Sequence, residues 1–184
     1  MVIFTNKIFR YLADMINPPT AYQIPQNVLV ISAINRQRDR LGAARFTYPV
    51  VGKASGRIAY DLGDGNVLKL AWNKKGIAQN RAESKPCLTP YYDLLLVPVL
   101  ASDHAGKWVI QPQTTPLSVS GFFDFARSAE GRAFCQKAHR FAQLHGLNYY
   151  DLTKPASIGF TDDKHLIFDY GLTQAISEQY YSNQ

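Results

Sequence analysis

Two short alternating runs on either side of a tight turn constrain this chain more than any other stretch. Arg57-Ile-Ala-Tyr-Asp-Leu62 and Asn66-Val-Leu-Lys-Leu-Ala71 flank Gly63-Asp-Gly65. A period of two sends successive side chains to opposite faces, and an Asp-Gly step supplies the positive φ that a tight hairpin needs. The segment predicts a β-hairpin. Lys69 lies between Leu68 and Leu70, so its ammonium falls on the opposite strand face from those leucines.

The hairpin sits inside a longer strand-rich region. Residues 46–52 predict a strand leading into the loop Lys53-Ala-Ser-Gly56. Residues 73–83 predict a helix ending before Pro86, with Gln79, Asn80 and Glu83 on one face by the three- and four-residue spacing. Residues 94–100 and 107–112 predict two further strands around the turn Asp103-His-Ala-Gly106. Beyond them, residues 118–127 suit a short helix. Residues 128–145 suit a longer one, with Phe134, Ala138, Phe141 and His145 along its buried stripe and Gly146 as its stop. His139 and His145 read as core or surface histidines, because no ligand cluster accompanies them at metal spacing.

Ahead of the strands the texture is helical. Phe4, Ile8, Leu12 and Met15 recur at helical intervals, and residues 28–41 suit a second helix, with a strand over residues 28–31 as its rival. Arg36, Arg38 and Arg40 make this the most basic stretch, read as a solvated face or as a phosphate-contacting surface. With 46% hydrophobic residues the chain has material for a real core, which argues against disorder. Its longest apolar run, residues 94–101, is too short for a membrane span and contains Pro98. Lys7, Arg10 and Asp14 interrupt any signal-peptide core. Cys87 and Cys135 are too few for a disulfide framework and read as two core thiols of a reducing compartment. The expectation is a soluble cytoplasmic protein, with no membrane partner. The net charge of +6 suits an anionic partner, a nucleotide or a nucleic acid.

The last third carries the chemistry. Leu147-Asn-Tyr-Tyr-Asp151-Leu-Thr-Lys154-Pro-Ala-Ser157-Ile-Gly159 is followed by His165-Leu-Ile-Phe-Asp169-Tyr-Gly171. Each aspartate is framed by apolar residues, with a strand-like run between them. Here the chain resembles the protein-kinase-like superfamily, in a minimal form of bacterial or bacteriophage type. Tyr-Tyr-Asp151-Leu stands where His-Arg-Asp-Leu is usual, and Asp169-Tyr-Gly171 where Asp-Phe-Gly is usual. Val67-Leu-Lys69 matches the strand lysine, and Glu83 falls where its helix partner is expected.

The resemblance implies an α+β, protein-kinase-like fold. Residues 45–117 would form an amino-terminal lobe with a five-stranded antiparallel sheet, residues 118–184 a truncated, mostly helical carboxy-terminal lobe, and residues 1–44 a helical appendage. It implies ATP and Mg²⁺ as cofactors. Lys69 and Glu83 would hold the α- and β-phosphates, Asp151 would orient the attacking hydroxyl, and Asp169 with Ser157 would hold the metal. Gly52, Ser55 and Gly56 would form the phosphate loop, Lys154 an extra phosphate contact, and Gln113 part of the adenine-binding hinge.

The pattern departs from the family in four places. Tyr149 and Tyr150 replace the usual His and Arg. Ser157, or Ala156 when counted forward from Asp151, replaces the metal-binding asparagine. In the glycine loop, Ala54 and Arg57 stand for two glycines. The sequence ends at Gln184, which leaves out the peptide-docking segment of a full kinase. Two function classes follow: a phosphotransferase acting on a protein or small-molecule hydroxyl, and a pseudokinase-like nucleotide-binding or protein-interaction module. Nucleic-acid binding is the weaker alternative, because aromatic residues do not interleave with the arginines.

Overall fold

The computed structural model describes residues 48–161 and 164–181. The helices expected over residues 1–41, the arginine stretch with them, and the first residues of the strand expected from residue 46 lie outside the described residues. What is described is a mixed α+β fold built on two antiparallel sheets.

The first sheet has five strands in the order β1-β2-β3-β5-β4: β1 Val50–Lys53, β2 Arg57–Asp61, β3 Asn66–Ala71, β4 Ala101–Ser102 and β5 Trp108–Pro112. The hairpin is present in register, with Arg57 opposite Ala71, Ala59 opposite Lys69 and Asp61 opposite Val67. Its turn is held by aspartate side chains. Gly63 N–H donates to Asp61 Oδ1 at 2.8 Å and Asn66 N–H to Asp64 Oδ1 at 3.1 Å, local bonds that short acidic side chains form in turns. Leu68 and Leu70 are buried on one face of β3, each contributing on the order of 2 kcal/mol by removal from water.

Helix α1, Lys74–Glu83, follows β3 and is capped by Asn73, whose side chain accepts from Gly76 N–H at 3.0 Å. It lies so close to the loop before β2 that backbone meets backbone. A Cβ on Gly56 would sit 2.8 Å from Gly76 N.

Residues 94–100 do not form the expected strand; β4 is confined to Ala101–Ser102. Pro98 has no N–H to give a ladder, and the run is shared between two partners. Val97 N–H donates to Ile167 O at 2.9 Å and Ile167 N–H to Leu95 O at 2.8 Å, while Leu100 N–H donates to Ile110 O at 2.9 Å. Leu95, Leu96 and Val97 are buried, so the apolar run is the seam joining the first sheet to the second.

The second sheet runs β6 Thr115–Pro116, β7 Ile158–Thr161 and β8 Lys164–Ile167, with β7 between the other two. Against it pack α2, Val119–Arg127, and α3, Ala129–His145. Ser118 and Ser128 cap their first turns, and α3 ends at Gly146. Phe134, Ala138 and Phe141 of α3 enter one core with Leu88, Leu96, Ile158, Ile167 and Tyr170. His145 sits half-buried at its edge, its ring 5.1 Å from Tyr91 and 4.7 Å from Phe141; burial, then the Lys85 charge, lower its pKa. The short helix α4, Tyr149–Leu152, and the helix α5, Gln174–Tyr181, complete the described elements. Cys87 is exposed and Cys135 partly so, which corrects the reading of both as core thiols: Cys87 lies in a proline-bounded 3-10 turn whose inward residue is Leu88. Among the described residues no helix is long and apolar enough to cross a membrane.

Candidate functional site

The site is built where β3, α1 and the turn after β8 converge. Lys69 is buried, on the face opposite Leu68 and Leu70. Its Nζ lies 3.2 Å from Glu83 Oε2 and also donates to the Phe168 carbonyl. Glu83 projects from the last turn of α1 and is wholly enclosed. Gln79 and Asn80 are also buried on α1, whereas Ala82 packs in an apolar cluster with Leu172 and Ile176. Asn80, also enclosed, donates to the Gly106 carbonyl at 3.0 Å, which ties the helix to the β4–β5 turn.

Asp169 is delivered by the segment that leaves β8. Its neighbour Tyr170 is buried, donating to the Val97 carbonyl at 2.7 Å and accepting from Gln111 Nε2 at 3.0 Å. Gly171 passes so near α1 that a Cβ there would lie 2.6 Å from the Gln79 carbonyl oxygen. Glycine at this position lets Asp169 approach the helix that carries Glu83.

Asp151 belongs to α4, whose first N–H groups are capped by Asn148; Asp151 N–H donates to Asn148 Oδ1 at 3.2 Å. Asn148 N–H in turn donates to Leu172 O at 3.0 Å, so the segment bearing Asp151 is stitched to the segment following Asp169. Leu152 is buried and anchors the turn. Lys154 Nζ pairs with Asp151 Oδ1.

The residue that sequence reasoning missed is Arg57. Expected at the head of the first hairpin strand, but given no role beyond standing in for a loop glycine, it is the buried first residue of β2. Nη1 lies 2.8 Å from Glu83 Oε1 and 3.2 Å from Asn80 Oδ1, and Nη2 lies 2.5 Å from Asp169 Oδ1. The signal was present in the hairpin register. Ala59 pairs with Lys69, and two residues along a strand share a face, so Arg57 lies on the face of Lys69.

These groups perturb one another. Burial pushes the Arg57 guanidinium down, but Glu83 and Asp169 outweigh it and hold its pKa above the ordinary value. Burial lowers the Lys69 pKa, with Glu83 opposing and Arg57 assisting. For Asp169, burial works upward, yet Arg57, Lys69 and Lys154 hold it below the usual carboxylate value. Asp151 goes the other way, raised by burial and then by the Asp169 charge, against the pull of Lys154.

The other sequence candidates lie in β1, in the loop that leads into Arg57, after β5 and just before β7. Gly52 lies within β1, opposite Ala59. Ser55 O accepts from Asn73 Nδ2 at 2.8 Å and Gly56 O from Trp72 N–H at 3.1 Å, so this loop is fastened to the start of α1. Gln113 is exposed, and its backbone N–H donates to Gly65 O at 2.8 Å. Ser157 is fully buried just before β7; its carbonyl accepts from Phe168 N–H at 2.9 Å, and its Oγ has no hydrogen-bond partner among the described residues.

No protein-family model matches the chain, and no curated protein matches it either.

The arrangement does not fit a divalent cation. Asp169 Oδ1, the expected ligand, is engaged by a guanidinium, and the second position offers only an enclosed serine hydroxyl, a poor magnesium ligand. Among the described residues no group of three His, Cys, Asp or Glu side chains is arranged to hold a metal ion. Three buried or half-buried cations, Arg57, Lys69 and Lys154, meet three carboxylates here, and the Lys69 ammonium faces both Glu83 oxygens and the Phe168 carbonyl.

Proposed function

We propose that this chain is a minimal protein-kinase-like protein that binds ATP and transfers its terminal phosphoryl group to a protein or small-molecule hydroxyl in a reducing cytoplasm. The observation that carries the reading is the gathering of Lys69, Glu83, Asp169, Asp151 and Lys154 into one electrostatically coupled cluster from four separate segments. Lys69, held against Glu83, supplies a fixed positive charge for the phosphates. Asp151, with its pKa raised by burial, accepts the hydroxyl proton and aims the oxygen; a base whose pKa moves toward the working pH is the more effective one. Lys154 keeps Asp151 from being protonated too readily.

A second reading, a pseudokinase-like binding module, is favoured by the Arg57–Asp169 pair, which occupies a carboxylate that phosphotransfer ordinarily commits to a metal. Wild type and Asp151→Asn separate the two with radiolabelled ATP, with and without a cell lysate as substrate source. For an enzyme, ATP affinity is retained while transfer falls by roughly 10²–10⁴-fold, the size of a general-base effect. Equal signals at the level of the no-protein blank would leave the binding module as the reading.

A further inference from the structure

Arg57 has no part in the transfer just described, yet it is held by three side chains from two other segments. Asn80 and Glu83 reach it from α1, and Asp169 from the turn after β8. We propose that Arg57 takes the place of a divalent cation at Asp169, so that the site binds the phosphates of a nucleoside triphosphate without a metal ion. The inference rests on the nucleotide reading above and goes beyond it in the source of the countercharge.

Charge balance supports it. Glu83, Asp151 and Asp169 face Lys69 and Lys154, and that set alone would leave one uncompensated negative charge to attract a cation. Arg57 cancels it, and its bonds to Glu83 and Asp169 lie across the gap between the two carboxylates.

Geometry supports it as well. Arg57 is 6% exposed, so it is a built-in cation whose side-chain freedom was lost on folding. A guanidinium has five N–H donors, and three are engaged by Asn80, Glu83 and Asp169. The others remain for phosphate oxygens, which the planar fork suits well. A metal ion at Asp169 would sit beside this buried guanidinium, whose like charge opposes it.

The test is an ATP titration by calorimetry on the full chain, once in excess EDTA and once in excess Mg²⁺. Affinities within about tenfold of each other are expected, a difference of about one decade in Kd. Binding that appears only with Mg²⁺ overturns the inference and leaves the nucleotide reading intact. Binding in neither condition overturns both. A second arm uses Arg57→Gln, checked for folding by circular dichroism, with Arg57→Lys as the charge-retaining control. Removing the guanidinium charge should lower affinity in EDTA by at least about tenfold and make Mg²⁺ restore it. Arg57→Lys should stay closer to wild type. Unchanged EDTA binding in a folded Arg57→Gln protein removes Arg57 from the phosphate site.

Discussion

Arg57 Nη2 lies 2.5 Å from Asp169 Oδ1, although 112 positions of sequence separate the two residues. One belongs to the first strand of the hairpin and the other to the turn after the last strand, so the pair closes the site from both ends of the described chain. It also gives Asp169 a countercharge that needs no ion from solution. The consequences can be measured.

The pair makes stability depend on acid. Asp169 holds its proton more weakly folded than unfolded, so its ionisation stabilises the fold. That contribution is complete above the ordinary value of 3.8 and is lost as pH falls from there through the lowered folded value. The stability gap between wild type and Asp169→Asn should therefore be full near neutrality and shrink in acid, read from urea midpoints across a pH series. A gap that does not change with pH contradicts the pairing.

Lys69→Ala should leave the fold intact while abolishing much of the rise in melting temperature that ATP gives. Arg57 still neutralises Glu83 when the ammonium is gone, so the intrinsic loss should be about 1.5–3 kcal/mol, that of one hydrogen bond to a charged group. Differential scanning fluorimetry with and without ATP reads both effects. An unchanged ATP shift would take Lys69 out of the site.

Lys154 restrains a carboxyl whose pKa burial has raised. Lys154→Met removes that restraint, so Asp151 should take up its proton at higher pH. Because the ionised form is the base, the acid limb of the kcat/KM profile should move upward in the variant. A limb that stays in place, or moves down, would assign it to another group.

Gly56 tests how tightly the loop is fastened to α1. A methyl group there would meet backbone first, 2.8 Å from Gly76 N and 3.0 Å from its Cα, so Gly56→Ala should destabilise by about 1–3 kcal/mol, the usual cost of overpacking. Thermal melts check this, and a neutral result would show that the loop and helix separate freely.

Local chemistry made much of this protein legible from its sequence. The β2–β3 hairpin follows from period-two alternation and an Asp-Gly turn, and α3 from a helical stripe bounded by Ser128 and Gly146, signals that act within a few residues. The meeting of Lys69 and Glu83 was anticipated through the family resemblance, and a close strand–helix connection brings it about. Tertiary structure decided the rest. Residues 94–100 are apolar enough for a strand, but their hydrogen bonds are divided between Ile110 and Ile167, partners that only the fold brings within reach. Arg57 looked like a flaw in a glycine loop because its meaning depends on the hairpin register and on a carboxylate delivered from a distant turn. A charge enters a core only when its countercharges are already in place, and which residues supply them is settled by the folded chain.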